Sequence, residues 1–236
     1  MRIAVCGTKG GSGKSTLAGL LALCFADVGK RIHAIDKDPQ NTLSTWLRSI
    51  GGKATSKNGV PWTSLNSEAK SEQADDSNLG WKKNCVWITD FPPASPDALL
   101  KMINASKGYG TGTATEGVKG HTEPSRTPEE NSFEEWFDVL LVPCRPALAD
   151  IWSIRSFLEK LDGYKGKVRL VMNALDNSSI SKAGSIDTLL KGIKTPRTKA
   201  TLSRRACYSY AMAGGWPALD EKAKSEVLSL ALELSK

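Results

Sequence analysis

A glycine-rich segment near the N-terminus has the residue types and spacing of a phosphate-binding loop. Residues 8–16 read Thr-Lys-Gly-Gly-Ser-Gly-Lys-Ser-Thr and follow an apolar run. Glycines let the backbone turn its N–H groups onto an anion, and the helix that follows adds its positive dipole end. Lys14 would reach the β- and γ-phosphates of a nucleotide, and the Ser15 hydroxyl would hold Mg²⁺. The plain pattern G-x-x-x-x-G-K-[ST] fails at Thr8, whereas K-G-G-x-G-K-[ST] is met in full, with Lys9 as an additional cation.

Three aspartates follow apolar runs and are the candidate carboxylates of a nucleotide site. Asp90 ends one such run, from which a carboxylate would project toward the water shell of a metal ion. Asp36 and Asp38 lie two residues apart at the end of another run, so both side chains would point the same way on an extended chain. The alternative for Asp36 and Asp38 is an ordinary turn or helix-capping role before Pro39. From the residues alone, Ser15 and Asp90 are the predicted metal ligands.

Apolar runs alternate with helical periodicity along the chain, in the order strand, helix, strand, helix. Strands are expected at 2–7, 31–35, 84–89, 137–142 and 167–172, and helices at 14–28, 42–50, 97–105, 149–161, 181–193, 203–212 and 219–234. Apolar strands that alternate with helices predict an α/β fold, a mostly parallel, doubly wound sheet with helices on both faces. Ligands of such sheets bind beyond the carboxyl ends of the strands, where the glycine-rich loop, Asp38 and Asp90 all fall.

Two polar segments interrupt this alternation. Residues 52–83 contain few apolar residues and are expected to hold one short strand and surface loops. Residues 106–132 are rich in Gly, Thr, Lys and Glu without any period, which predicts a flexible surface insertion. The chain shows neither an internal repeat nor a second domain, so residues 1–236 are predicted to form one P-loop domain.

Four segments together resemble the ParA/MinD family of deviant Walker A ATPases. The loop 9–15 resembles the family's phosphate loop with its extra lysine, and Asp36-Lys37-Asp38-Pro39-Gln40 resembles its D-x-D-P-Q element. Residues 86–93 resemble its Walker B strand with the D-x-P-P turn, and residues 139–146 resemble its later strand with the V-P-x-x-P ending. The Asp-Pro-Gln triplet favours the ParA side of the family over the MinD side. Because the loop begins at residue 8, a small ParA type without an N-terminal helix-turn-helix domain is expected.

The resemblance implies a P-loop ATPase that uses ATP and Mg²⁺, and it assigns roles to individual residues. Asp38 would position the attacking water, and Asp36 would support the metal shell or the loop. Lys9 would cross a dimer interface and contact the phosphates of the partner subunit. Asn173, at the end of a predicted strand, would contact the adenine; the alternative is that it caps a turn with Asp176. The predicted catalytic residues are Lys9, Lys14 and Asp38, and the predicted nucleotide contacts are Lys9, Gly10, Gly11, Ser12, Gly13, Lys14, Ser15, Thr16 and Asn173.

The whole net charge of +7 lies in the last third of the chain. Residues 1–150 contain 17 Lys and Arg against 17 Asp and Glu, whereas residues 151–236 contain 15 against 8. A basic patch without a base-reading element suggests phosphate contacts to double-stranded DNA without sequence preference. The alternative is a solvated helical face. The candidate DNA-contacting residues are Lys191, Lys194, Arg197, Lys199, Arg204 and Arg205.

Length and composition exclude several classes of protein. With 236 residues and 40% hydrophobic residues, the chain can bury a sizeable core and is not disordered throughout. No apolar run reaches the ~20 residues of a membrane span, and no signal peptide is recognisable. Five scattered cysteines without metal-ligand spacing indicate a reducing, cytoplasmic location. The final helix carries Glu226 and Glu233 beside its apolar face, so it is expected to pack rather than to bind a membrane stably.

These features predict a ParA-type ATPase that dimerises when it binds ATP and then associates with the DNA of the nucleoid. Hydrolysis stimulated by a ParB-like adaptor protein would release it, and the cycle would partition or position cargo, most simply plasmid DNA. Two alternatives stay open. One is a MinD-like membrane-cycling ATPase. The other is a metal-cluster carrier or reductase ATPase of similar fold, which needs a cysteine pair at the dimer interface, although the chain contains no C-x-x-C.

Overall fold

A computed structural model describes residues 1–57, 60–65, 85–105, 137–161, 167–176, 187–188 and 190–236. The predicted insertion at 106–132 lies outside these residues, as does most of the helix predicted at 181–193. The strands are β1 Arg2–Val5, β2 Arg31–Asp36, β3 Lys53–Lys57, β4 Val60–Leu65, β5 Cys85–Asp90, β6 Val139–Cys144 and β7 Val168–Met172. The helices are α1 Lys14–Asp27, α2 Thr42–Ser49, α3 Pro96–Ala105, α4 Leu148–Lys160, α5 Cys207–Gly214 and α6 Glu221–Leu234.

The strands form one sheet in the order β3-β4-β2-β5-β1-β6-β7. Five neighbouring strands run parallel, in the order β2-β5-β1-β6-β7. Their carboxyl ends therefore lie at one edge of the sheet. In the register, Asp90 is paired with both Val5 and Asp36, so the phosphate loop that follows β1 starts beside these two aspartates. The predicted mostly parallel sheet is therefore confirmed.

Helices cover the sheet on both faces. Val5, Ile32 and Ile88 are buried in a core shared with α1, α2, α5 and α6. On the other face, Leu140 and Leu170 are buried with residues of α3 and α4. Because successive strand residues point to opposite faces, strands buried on both faces must be apolar throughout, and this is the pattern that made them recognisable in the sequence.

Residues 52–83 were predicted to hold one short strand, and the part of this region that the structure describes, residues 52–57 and 60–65, holds two. β3 pairs antiparallel with β4, and β4 pairs antiparallel with β2, so a hairpin extends the parallel sheet at one edge. β3 has the sequence Lys-Ala-Thr-Ser-Lys, which contains no apolar run. An edge strand pairs on one side only and needs no fully apolar sequence, so this strand left no signal in the sequence.

Residues 196–204 run alongside β7 instead of beginning a helix. The backbone N–H of Thr198 donates to the carbonyl of Leu170 at 3.0 Å, and that of Leu202 donates to the carbonyl of Met172 at 3.0 Å. The helix predicted at 203–212 therefore starts only at Cys207, because the edge of β7 takes the preceding backbone. The final helix, α6, packs as predicted, with Val227 and Leu230 fully buried against α1.

Candidate functional site

The phosphate loop connects β1 to α1 at the carboxyl edge of the sheet. Gly11 has φ 71° and Gly13 has φ 90°, left-handed conformations that residues with side chains rarely adopt. A side-chain atom added at Gly10 or Gly11 would meet nothing within 4 Å, so the space beside this part of the loop is open. Ser15 and Thr16 follow in the first turn of α1. A left-handed glycine turn with open space at a helix N-terminus fits an anion such as a nucleotide phosphate.

Lys14 lies inside the loop. Its residue is only 5% exposed, and its Nζ donates to the carbonyl of Lys9 at 2.9 Å. Burial lowers the pKa of Lys14, whereas the charges of Asp90 and Asp38 raise it. A phosphate bound in the loop would stabilise the charge of Lys14, because its oxygens would replace part of the hydration that the buried ammonium group lacks.

Asp90 is a buried carboxylate at the carboxyl end of β5. It is fully buried, and neither of its oxygens accepts a hydrogen bond from a described residue, although the Ser15 hydroxyl lies close enough to favour its ionised form. Burial, with help from the charges of Asp36 and Asp38, raises the pKa of Asp90 to about 7. A carboxylate and a hydroxyl at the mouth of a phosphate loop are hard oxygen ligands of the kind that Mg²⁺ prefers. The residues present therefore fit the predicted metal ion, with Ser15 and Asp90 as its contacts.

Asp36 and Asp38 have different surroundings, although both end β2. Both oxygens of Asp36 accept backbone hydrogen bonds, from Asp38 at 3.1 Å and from Ser44 at 2.9 Å. Burial raises the pKa of Asp36, and these hydrogen bonds lower it in part. Asp38 is half-buried, and its Oδ1 accepts the N–H of Gln40 at 3.0 Å. Asp36 thus holds the start of α2 and the Asp38 turn in place, whereas Asp38 keeps a second carboxylate oxygen for another partner.

Lys9 is held by helix α4. Its Nζ donates to the carbonyl of Ala149 at 2.7 Å and to Oδ1 of Asp150 at 3.0 Å. Arg145 donates to the other carboxylate oxygen of Asp150 at 2.6 Å. Burial of Asp150 opposes its ionisation, but hydrogen bonds from Arg145 and Lys9 outweigh it and lower the pKa of Asp150. The sequence assigned no role to Asp150, since its partner Lys9 lies 141 residues away.

Asn173 lies directly behind the loop, as its position at the end of β7 predicted. Its Nδ2 donates to the carbonyl of Ser12 at 2.8 Å, and its Oδ1 accepts the N–H of Ala174 at 2.9 Å. The structure thus brings Asn173 to the nucleotide site, where its described contact is to the loop itself. Adenine contact by Asn173 stays a prediction.

The six predicted DNA-contacting cations differ in exposure. Lys191, Lys194, Lys199 and Arg204 are exposed, and Arg197 is exposed but paired with Asp187 at 2.7 Å. The Arg205 side chain is only 21% exposed, and its Nη2 donates to Glu226 at 2.6 Å.

Arg205 belongs to a polar cluster that fastens residues 203–208 to α6. Glu226 accepts hydrogen bonds from Arg205, from the backbone and hydroxyl of Ser203, and from the Tyr208 hydroxyl at 2.8 Å. Burial opposes the ionisation of Glu226, but these donors lower its pKa below the ordinary value. We therefore do not expect Arg205 to contact DNA phosphates, because its guanidinium already neutralises the half-buried carboxylate of Glu226.

Residues 3–213 match the family of CobQ/CobB/MinD/ParA nucleotide-binding domains. The chain belongs to this family. The resemblance to ParA and MinD that the sequence motifs predicted is confirmed, and so is the assignment as a P-loop ATPase of this type. Nucleotide binding by the loop at residues 9–16 stays a prediction, which membership of this family supports.

Solved structures of this family share the fold at low sequence identity. A chain of the MinC:MinD cell division protein complex of Aquifex aeolicus superposes with a TM-score of 0.59, at 16% identity over 99% of this chain and 95% of that one. A candidate plasmid partition protein of Borrelia burgdorferi B31, bound to AMPPNP, superposes with a TM-score of 0.57, at 14% identity over 99% of this chain and 97% of that one. Identities this low show the common fold alone.

A shorter match is to an accessory protein of carbon monoxide dehydrogenase. The carbon monoxide dehydrogenase accessory protein CooC of Rhodospirillum rubrum is 53% identical over 45 residues. This stretch covers 19% of the present chain and 17% of CooC. The match therefore concerns only a short segment of each chain.

The buried carboxylate of this ParA/MinD-type site leads to a prediction for Asp90→Asn. Because the pKa of Asp90 is raised in the folded state, the metal-free protein should lose stability as pH rises from about 4 to about 7. We expect Asp90→Asn to flatten this slope and to raise the melting temperature of the metal-free protein at about pH 8 by a few degrees. Mg²⁺ should no longer add to the stabilisation of the variant by nucleotide. Thermal unfolding with and without Mg²⁺ and ATP measures all three effects, and a variant that melts lower than wild type without metal would contradict the prediction.

Proposed function

We propose that this chain is a ParA-type ATPase that dimerises on binding ATP, binds DNA without sequence preference and partitions or positions cargo, with plasmid DNA as the expected cargo. A ParB-like adaptor would stimulate hydrolysis and so release the DNA. Residues 1–236 would act as one ATPase domain, nucleoid-associated in the ATP state and cytoplasmic otherwise. The observation that carries the proposal is the position of Lys9, a half-exposed cation inside the phosphate loop. Lys9 contacts Ala149 and Asp150 at the start of α4, and it would exchange these contacts for the phosphates of a partner subunit.

The residues of the site divide the work of hydrolysis. The loop N–H groups and Lys14 bind the phosphates, and Lys14 would exchange the Lys9 carbonyl for a phosphate oxygen. Ser15 and Asp90 would hold Mg²⁺, which neutralises charge that develops on the phosphate oxygens. Asp38, with one carboxylate oxygen not taken by Gln40, would accept a hydrogen bond from the attacking water. Asp36 would keep Asp38 in place through the hydrogen bond from the Asp38 backbone.

The surface beside Lys9 supports an interface with a second copy. Leu148 and Trp152 lie one turn apart at the start of α4 and are 49% and 67% exposed. They flank Asp150, the residue that holds Lys9. Large exposed apolar side chains are expected where another protein surface packs. A partner that covered this face would meet Lys9 at the same time, which would couple dimerisation to the phosphates.

The exposed part of the C-terminal basic cluster supports DNA binding. Lys191, Lys194, Lys199 and Arg204 add positive charge to the segment that runs along and beyond the edge of β7. Arg197 is held by an ion pair with Asp187, but an exposed pair of this kind contributes little and can be exchanged for a phosphate. We expect binding to require ATP and to weaken steeply with salt through counterion release.

Arg204 and Arg205 form a matched pair for testing this surface. Arg204→Ala should weaken binding to unrelated DNA duplexes by a similar factor and lower the salt slope by roughly one unit, because one exposed phosphate contact is lost. Arg205→Ala should leave the salt slope near the wild-type value and cost on the order of 1–3 kcal/mol of stability, because Glu226 loses its cation. Fluorescence anisotropy across a salt series and thermal unfolding separate the two effects. Unchanged DNA binding by Arg204→Ala combined with Lys194→Ala would place the DNA contact elsewhere.

The short match to CooC supports a second candidate, an accessory ATPase that serves a metalloenzyme. All five cysteines lie in the described part of the chain, four of them buried and Cys207 half-buried. Among the described residues, no three His, Cys, Asp or Glu side chains are grouped to hold a metal ion. A metal ion bound between two copies, detected by elemental analysis of the purified ATP-bound dimer, together with a lack of DNA binding, would favour this candidate.

Pelleting with lipid vesicles separates the proposal from a membrane-cycling ATPase. No described helix is long and apolar enough to cross a membrane. A MinD-like protein would sediment with anionic vesicles in the presence of ATP and would not need DNA. We expect ATP to bring the present protein onto DNA and to leave it in the supernatant with vesicles.

A further inference from the structure

The amide of Asn173 faces the phosphate loop in one defined orientation. Its Nδ2 donates to the Ser12 carbonyl, while its Oδ1 accepts the N–H of Ala174. A flipped amide would set two acceptors against each other at Ser12 and two donors at Ala174, so the hydrogen bonds determine the orientation. The backbone N–H of Asn173 donates to the carbonyl of Cys144 at 2.8 Å, which anchors the residue to β6. Asn173 is also buried, being only 9% exposed.

The hydrogen bond from Asn173 Nδ2 to the Ser12 carbonyl holds the peptide group between Ser12 and Gly13. In a trans peptide the C=O and the N–H point in opposite directions. Since Asn173 holds the Ser12 carbonyl, the Gly13 N–H points away from Asn173. Gly13 also has a left-handed backbone, and a side-chain atom added there would run into the Asn173 amide. The glycine and the amide therefore fit each other and hold one orientation of this peptide.

We propose that Asn173 is a positioning residue of the phosphate loop. By holding the Ser12–Gly13 peptide, it directs the Gly13 N–H toward a bound phosphate and raises phosphate affinity whatever base the nucleotide carries. This inference rests on nucleotide binding by the loop and deepens the proposed function. The two roles of Asn173 have different consequences. Loss of an adenine contact would lower the affinity for adenine nucleotides only, whereas loss of the hydrogen bond to the Ser12 carbonyl would lower the affinity for every phosphate ligand.

The test compares ligands with and without a base. Titration calorimetry in the presence of Mg²⁺ would measure the affinities for ATP, GTP and inorganic tripolyphosphate. We expect Asn173→Ala to weaken each ligand that wild type binds by a similar factor of about ten, the effect of one lost buried hydrogen bond. Asn173→Asp should weaken them more, because a carboxylate oxygen would then face the Ser12 carbonyl. Turnover at saturating ATP should fall less than the affinity does.

Thr198→Val provides the matched control. Thr198 is buried next to β7, and its hydroxyl donates to the carbonyl of Ala200 at 2.8 Å, away from the loop. This variant should lower the melting temperature and leave all affinities unchanged, whereas Asn173→Ala should change affinity at temperatures where it is fully folded. A loss confined to ATP would overturn the inference in favour of an adenine contact, and unchanged affinities would reduce Asn173 to a purely structural residue. Wild-type protein that bound none of the three ligands would overturn the proposed function and this inference together.

Discussion

Lys14→Ala is expected to abolish nucleotide binding, whereas Asp38→Ala should bind ATP and fail to hydrolyse it. Lys14 is the buried cation of the loop, and a charge-assisted hydrogen bond to phosphate contributes about 3 kcal/mol, or roughly a hundredfold in affinity. Asp38 would act on the attacking water and not on the phosphates, so its loss should lower turnover by about 10²–10⁴-fold with ATP affinity within a few-fold of wild type. Calorimetric titration and a phosphate-release assay measure the two quantities separately.

Asp38→Asn distinguishes the chemical role of Asp38 from its role in the turn. The asparagine keeps an oxygen that can accept the Gln40 N–H, but it no longer offers a carboxylate to the water. We expect this variant to be as inactive as Asp38→Ala and as stable as wild type. Full turnover by Asp38→Asn would make Asp38 a turn residue only, and an equal loss of ATP affinity in Lys14→Ala and Asp38→Ala would make it a binding residue.

Lys9→Ala is expected to weaken the ATP-dependent dimer while leaving nucleotide binding by the monomer nearly intact. In the monomer Lys9 contacts Ala149 and Asp150, and its Nζ makes no described contact with the loop backbone. If Lys9 acts on the partner's phosphates, its removal should raise the dimer dissociation constant by at least about tenfold. Light scattering with ATP over a range of protein concentrations gives this constant. The same dimer mass for Lys9→Ala and wild type at every concentration would remove the role in trans.

The apolar residues beside Lys9 provide a second measurement on the same interface. Trp152→Ala should also weaken the dimer, because a large exposed aromatic side chain is a typical interface anchor. Leu232→Ala removes a comparably exposed apolar side chain from α6, which packs on α1, and should leave the dimer unchanged. Weakening by Leu232→Ala and not by Trp152→Ala would move the interface to another face of the protein.

The phosphate loop and the parallel strands were predictable because their signals are local. The loop needs glycines, a lysine and a hydroxyl at fixed positions, and the chemistry of phosphate binding dictates these residue types. The central strands are buried on both faces and are therefore apolar without interruption. β3 was not predicted because its signal is not local. This polar edge strand is stabilised by pairing with β4, and its own sequence contains no apolar run.

The tertiary structure decided which side chain each polar group meets. From the sequence, Arg204 and Arg205 are equivalent cations, yet only Arg204 is exposed, because the chain turns Arg205 toward Glu226 on α6. Lys9 meets Asp150 across 141 residues, and Asn173 meets Ser12 across 161. Such partners come together only where the parallel sheet brings the carboxyl ends of its strands to one edge. The sequence by itself therefore determined the nucleotide chemistry and the class of fold, and the folded chain determined how the lysine, the amide and the arginines are held.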